Sequence, residues 1–140
     1  HAVLNANYLR HKITKHTENG NQAAAFTEGA PASVVKHEFT LNMTPLKEQS
    51  GVTAKDVAKR LLDYGYMAPT LYFPQIVPEC LMFEPTETES KEVLDKFAID
   101  FLEILSEDAD TLKTAPHTTF VKRVDEVLAA RQLILTYPFE

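Results

Sequence analysis

The chain has 140 residues, room for one domain, and its 14 Lys+Arg against 20 Asp+Glu leave a net charge of -6. That balance argues against a protein that neutralises nucleic-acid phosphates. Hydrophobic residues at 44% and charged residues at 24% exclude wholesale disorder, no apolar run nears the ~20 residues needed to span a bilayer, and the single cysteine, Cys80, excludes an internal disulfide or a cysteine metal cage. A single soluble, cytoplasmic domain is expected, interacting with neither nucleic acid nor membrane.

The first element is a helix. Leu4 and Tyr8, then Leu9 and Ile13, stand at i,i+4, and no Ser, Thr or Asp caps its start. Residues 1–16 therefore read as a truncated helix entering a domain over 17–140. From Thr17 to Ser33 small and polar residues with Asn19-Gly20-Asn21 and Gly29-Ala30-Pro31 read as a loop, with a short strand over Ala23 to Thr27. His37, Phe39, Leu41 and Met43 then alternate with Glu38, Thr40 and Asn42, which predicts a half-buried strand.

The next helix is punctuated at both ends. Thr53 is its N-cap, Asp56 reaches back from the N3 position, and Gly65 stops it. Val57, Ala58, Leu61 and Leu62 form the apolar stripe, with Lys55, Lys59 and Arg60 facing water. Short apolar runs over Thr70 to Phe73 and Leu81 to Glu84 predict two strands. Thr86 and Glu89 have capping-box spacing and predict the longest helix, running to Leu105, with Val93, Phe97, Phe101 and Leu105 as its buried stripe, widened by Leu94 and Leu102. A capped turn or short helix over Ser106 to Thr114 and another over Val124 to Gln132 complete the chain. The order predicts an α+β (α/β sandwich) fold, a small antiparallel or mixed sheet with helices on one face.

Few residues offer chemistry on their own. His37 lies on the apolar face of its strand, where a hydrogen-bonded rim histidine and a ring placed near a ligand are both compatible with the pattern. His11 and His16 are five apart and do not share a helix face, so no metal pair is expected, and His117 stands alone in a loop. Glu84, Glu87 and Glu89 read as carboxylates favoured at a helix start rather than as an acid/base set. Cys80 has no cation beside it in sequence to activate the thiol. Lys47, Lys55, Lys59, Lys91 and Lys96 sit in polar contexts unsuited to a Schiff base, and glycines at 20, 29, 51 and 65 make no phosphate loop.

Four stretches in order carry a resemblance: Asn5-Ala6-Asn7-Tyr8; His37-Glu38-Phe39; Asp56-Val57-Ala58-Lys59-Arg60-Leu61-Leu62-Asp63-Tyr64-Gly65 with Ala68-Pro69-Thr70; and Glu84-Pro85-Thr86-Glu87-Thr88-Glu89-Ser90-Lys91. Together they resemble the C-terminal part of the pyridoxal-phosphate-dependent glycine dehydrogenases (decarboxylating), the P-protein of the glycine cleavage system. Ala115-Pro116-His117-Thr118, Arg123-Val124-Asp125-Glu126-Val127 and Ala129-Ala130-Arg131 resemble the tail of subunit 2 in the split enzymes.

The resemblance implies the small C-terminal domain of the aspartate-aminotransferase-like fold. It implies pyridoxal phosphate in the full-length enzyme, with the aldimine lysine and the phosphate cup outside this chain, and no cofactor bound by this part alone. The implied reaction uses the pyridine ring as an electron sink while glycine loses its carboxylate, and the aminomethyl group passes to a lipoylated carrier protein. The implied partners are subunit 1, that carrier and glycine. His37 and Thr86 are the substrate-proximal candidates, and no metal site is expected. Relatives usually carry histidine where this chain has Met67. A stand-alone α+β small-molecule-binding or regulatory module is the alternative that the pattern of elements alone permits.

Overall fold

The computed structural model describes residues 1–17, 25–26 and 33–136. Its elements are α1 (Ala2–Thr17), β1 (Ala25–Phe26), β2 (Phe39–Asn42), α2 (Thr44–Ser50), α3 (Ala54–Asp63), β3 (Thr70–Leu71), β4 (Cys80–Phe83), α4 (Lys91–Ile104), α5 (Ala109–Thr114) and α6 (Glu126–Arg131). The loop expected over Thr17 to Ser33 falls largely outside the described residues, apart from β1.

The sheet is antiparallel throughout, in the order β1-β2-β4-β3. Its register sets Phe39 opposite Phe83 and Leu41 opposite Leu81. These four side chains share one face because strand side chains alternate. They join Ala6, Leu9 and Ile13 of α1, Val57 and Leu61 of α3, and Leu94, Ala98 and Phe101 of α4 in one core. Helices on one face of a small α+β sheet are thus observed. On the opposite face Cys80 is buried where its Sγ lies 3.0 Å from the Phe73 carbonyl oxygen.

Two expected details are corrected. His37 does not belong to the strand: pairing begins at Phe39, and His37 sits in the preceding bend with its side chain 62% exposed, its Nε2 3.8 Å from the Glu38 carboxylate. The alternation runs two residues past the start of the observed pairing, because no described residue pairs with residues 37 and 38. The second correction concerns α4. Its N-cap is Ser90, whose hydroxyl accepts from the Val93 amide, whereas Thr86 to Glu89 form a separate turn closed by the Glu89 amide on the Thr86 carbonyl. Thr86 is therefore not a cap, and of the acidic residues only Glu92 lies in the first turn. The buried apolar stripe of α4 is correspondingly Leu94, Ala98, Phe101 and Ile104, with Leu105 buried at the C-cap and Val93 exposed.

α3 matches its punctuation. Thr53 accepts from the Asp56 amide, Asp56 accepts from the Thr53 amide at 2.8 Å, and Gly65 follows the helix at φ +82°. That positive φ is open to glycine without Cβ strain. α2 has no counterpart among the expected elements; Pro45 lies in its first turn, at N2, where an N–H has no intrahelical partner and its absence is no loss.

Candidate functional site

The stop at Gly65 sends the chain out in extended form over Tyr66-Met67-Ala68-Pro69-Thr70 into β3. On the neighbouring strand, β4 ends at Phe83 and the chain leaves through Glu84-Pro85-Thr86. Between these two exits and the first turns of α4 lies an open cleft of about 430 Å³. Its walls are mainly apolar, from Leu9, Met82, Phe83, Val93, Leu94 and Phe97. Exposed Met67, Glu84, Thr86 and Glu89 form part of the rim.

The aromatic rings fix the floor. Phe97 packs edge-on against Tyr66 at 4.9 Å and against Phe83 at 5.8 Å, and Phe83 in turn stacks on Phe39 at 5.3 Å. Such pairs add about 0.5–1.5 kcal/mol each beyond burial. The Tyr66 hydroxyl donates to Asp100 at 2.5 Å, and Lys96 pairs with the same carboxylate. Burial and then the Asp100 contact push the Tyr66 phenol upward. Burial alone would also raise the Asp100 carboxyl, but Lys96 and Tyr66 outweigh it and hold it low. The phenol is thus a positioned donor committed to Asp100.

The Asn5-Ala6-Asn7-Tyr8 motif is what holds the rim. Asn5 Nδ2 donates to the carbonyls of Thr86 (2.7 Å) and Glu89 (3.1 Å), tying the turn to α1. Ala6 is fully buried in the helix contact. Asn7 clasps Val35 from both sides, its Nδ2 on the carbonyl at 2.8 Å and its Oδ1 on the amide at 2.9 Å. The Tyr8 hydroxyl donates to Asp95 of α4 at 2.6 Å, and Lys12 and Lys91 pair with that carboxylate. Those hydrogen bonds hold the Asp95 carboxyl well below the usual carboxylate range.

Of the two substrate-proximal candidates, Thr86 lines the cleft and His37 does not. The Thr86 hydroxyl shares a 2.7 Å hydrogen bond with that of Thr88, so one of the two keeps a proton free to donate outward. His117 is used structurally: its amide donates to Asp63 at 2.6 Å and its Nε2 lies 3.0 Å from the Thr111 carbonyl. The cleft residues missed by sequence reasoning are Tyr66, Val93 and Phe97. Their one signal was the Val93–Phe97 pair, read as core although it sits one position off the buried stripe.

The cleft does not fit pyridoxal phosphate on its own. A phosphate wants cationic donors, and the lining contains none, while Glu84 and Glu89 place carboxylates on the rim. Lys91 and Lys96, the nearest lysines on α4, are engaged with Asp95 and Asp100. Among the described residues no group of His, Cys, Asp and Glu is arranged to hold a metal ion, and no helix is long and apolar enough to cross a membrane.

Two of the four motifs, Ala68-Pro69-Thr70 and Glu84-Pro85-Thr86, thus meet across one cleft, and comparison with known proteins gives that meeting a family. Residues 1–126 match the family described as "Glycine dehydrogenase, C-terminal domain". The chain belongs to this family. It is 51% identical over 139 residues to the "Probable glycine dehydrogenase (decarboxylating) subunit 2" of Nitrosospira multiformis, covering 97% of this chain and 26% of that relative. Proteins of the same description in Legionella pneumophila (51% over 140 residues, 97% of this chain) and Coxiella burnetii (48% over 139 residues, 97% of this chain) are each covered over 27% of their length. The chain spans about a quarter of the relatives it matches.

Proposed function

We propose that this chain is the small C-terminal domain of subunit 2 of a pyridoxal-phosphate-dependent glycine dehydrogenase, and that the cleft at residues 66–70 and 83–97 is its contribution to the reaction site. Residues 1–16 are then the helix entering the domain and residues 17–140 the domain itself. The observation that carries the reading is the convergence of two family motifs on one apolar cleft, in a chain whose relatives bear that enzyme's name. In this reading the full-length protein works with subunit 1 in the cytoplasm, decarboxylates glycine and passes the aminomethyl group to a lipoylated carrier. The domain alone is inactive, since its cleft lacks cationic donors for the cofactor phosphate. No step at the cofactor is assigned to it.

The work left to this domain is to exclude water and to position. The walls of Leu9, Phe83, Val93 and Phe97 present no competing hydrogen-bond donor, which strengthens any polar contact formed at the cleft. The Thr86–Thr88 hydroxyl pair supplies a donor at its edge. His37 is the second candidate, an exposed imidazole outside the cleft that would act only if the remainder of the enzyme approaches the start of β2.

The test is release of carbon dioxide from carboxyl-labelled glycine by full-length subunit 2 with subunit 1, pyridoxal phosphate and lipoylated carrier. Release that requires both subunits is expected; a well-folded complex that releases none overturns the reading. His37→Asn in the same complex decides that residue: lower turnover at unchanged thermal stability gives it a direct role, and unchanged turnover per folded enzyme removes it.

A further inference from the structure

Tyr66 is clamped at both its main chain and its side chain. Its amide donates to the Leu61 carbonyl at 3.1 Å, and the Gly65 amide donates to the Leu62 carbonyl at 3.1 Å. Two carbonyls left open at the end of α3 are thereby satisfied, and the chain leaves the helix in one direction. Three positions of α4 then meet the side chain. Phe97 packs edge-on at 4.9 Å, the Lys96 ammonium lies 5.9 Å from the ring centroid, and Asp100 accepts from the hydroxyl at 2.5 Å. From this clamp the chain runs along the cleft through Met67, Ala68 and Pro69 to Thr70, which pairs with Met82 in the sheet. One wall of the cleft is therefore pinned to the sheet at one end and to Asp100 at the other.

Stability alone does not account for Asp100. The residue is 7% exposed, whereas the side chain of its cation Lys96 is 68% exposed, so a desolvated carboxylate faces a partner that stays in water. Burying a charge in such a pair adds little to folding, and an apolar residue of similar size is often at least as stable in its place. What the carboxylate adds is direction. Ring packing leaves an aromatic side chain room to slide within contact, while a charge-assisted hydrogen bond fixes where the phenol stands and with it the main chain that carries it.

We propose that Asp100 is a positioning residue for the reaction: through the Tyr66 hydroxyl it sets how far the 66–70 wall stands from α4, and so the width of the cleft in which substrate is oriented. This rests on the reading of that cleft as the domain's contribution to the reaction site. Neither group binds substrate, because the phenol proton is committed to the carboxylate. Their loss therefore appears in the orientation of bound substrate, read as kcat, rather than in its capture, read as KM.

The test uses full-length subunit 2 with subunit 1, pyridoxal phosphate and lipoylated carrier, with carbon dioxide release from carboxyl-labelled glycine expressed per assembled complex. Tyr66→Phe keeps the ring and removes the hydroxyl, and Asp100→Ala removes the acceptor. Each should lower kcat at least about tenfold while KM for glycine stays within about twofold. The double variant should fall no further than either single one, since both break the same bond. Asp100→Asn keeps an acceptor and loses the charge pair with Lys96, so it should stay within about threefold of the unmodified enzyme. Unchanged kcat in Tyr66→Phe overturns the proposal, as do a loss confined to KM, multiplied losses in the double variant, or equal losses in Asp100→Asn and Asp100→Ala. Should Asp100→Ala fail to assemble, Tyr66→Phe and Asp100→Asn decide alone. In each of these cases an active unmodified enzyme leaves the functional reading standing; an assembled unmodified enzyme that releases no carbon dioxide overturns both.

Discussion

Asn5 holds Thr86 through the main chain, its side-chain amide donating at 2.7 Å to the Thr86 carbonyl and at 3.1 Å to that of Glu89. One residue at the start of α1 thereby sets the cleft rim more than eighty positions away. Both acceptors are solvent-accessible, so water compensates part of any loss. Asn5→Ala should cost about 1 kcal/mol in denaturant unfolding, and exchange of the Glu89 amide should accelerate more than that of the α4 interior. Equal acceleration in both would mean that the turn does not depend on Asn5.

Ser90, not Thr86, should respond to removal of a hydroxyl. Ser90→Ala deletes the acceptor of the Val93 amide and should lower stability by about 1 kcal/mol. Thr86→Ala deletes an exposed hydroxyl pair and should change stability by less than about 0.5 kcal/mol. Denaturant midpoints of the two variants give the comparison directly, and a larger loss for Thr86→Ala would contradict the observed helix start.

The difference between these two residues shows what the sequence could and could not reveal. Thr53 with Asp56 and Thr86 with Glu89 have identical spacing, yet only the first is a capping box. Pro85 precedes Thr86 and Ser90 offers a second cap four residues later, so the chain could spend Thr86 to Glu89 in a turn. The strand pair and α3 were legible because alternation and capping are local signals. The cleft was legible only as separate motifs, since Tyr66, Phe83 and Phe97 meet through the pairing of β3 with β4 and the packing of α4, which no short window contains. Asn5 and Asn7 likewise act on distant backbone, and their spacing gives no sign of their partners.

Asp63 predicts an acid-sensitive tail. Burial alone would raise its pKa, but the Thr118 and His117 amides, Arg60 and the Thr118 hydroxyl outweigh it and bring it down to about 2. Because the folded value lies below the ordinary carboxylate value of about 3.9, its stabilisation is complete above about pH 4 and is lost as pH falls toward 2. The difference is on the order of 2 kcal/mol, and Asp63→Asn should remove most of it at neutral pH. Protease cleavage within residues 117–125 should increase in that variant; unchanged cleavage would mean that Asp63 does not secure the segment.

Met67 is 92% exposed at the cleft rim. Met67→His should therefore change stability by no more than about 0.5 kcal/mol, as read from the midpoint of thermal unfolding. A larger change would place that side chain in packing that the structure does not show.

The central claim is that the cleft between residues 66–70 and 83–97 faces the reaction in the assembled enzyme. Thr86→Arg fills its exposed rim without touching the core, so folding and subunit association should be retained. The deciding measurement is kcat/KM for carbon dioxide release from carboxyl-labelled glycine by the complete two-subunit enzyme with lipoylated carrier. The account predicts a fall of at least about tenfold in Thr86→Arg, which corresponds to about 1.4 kcal/mol of lost transition-state stabilisation. An unchanged kcat/KM in a fully assembled variant would contradict it.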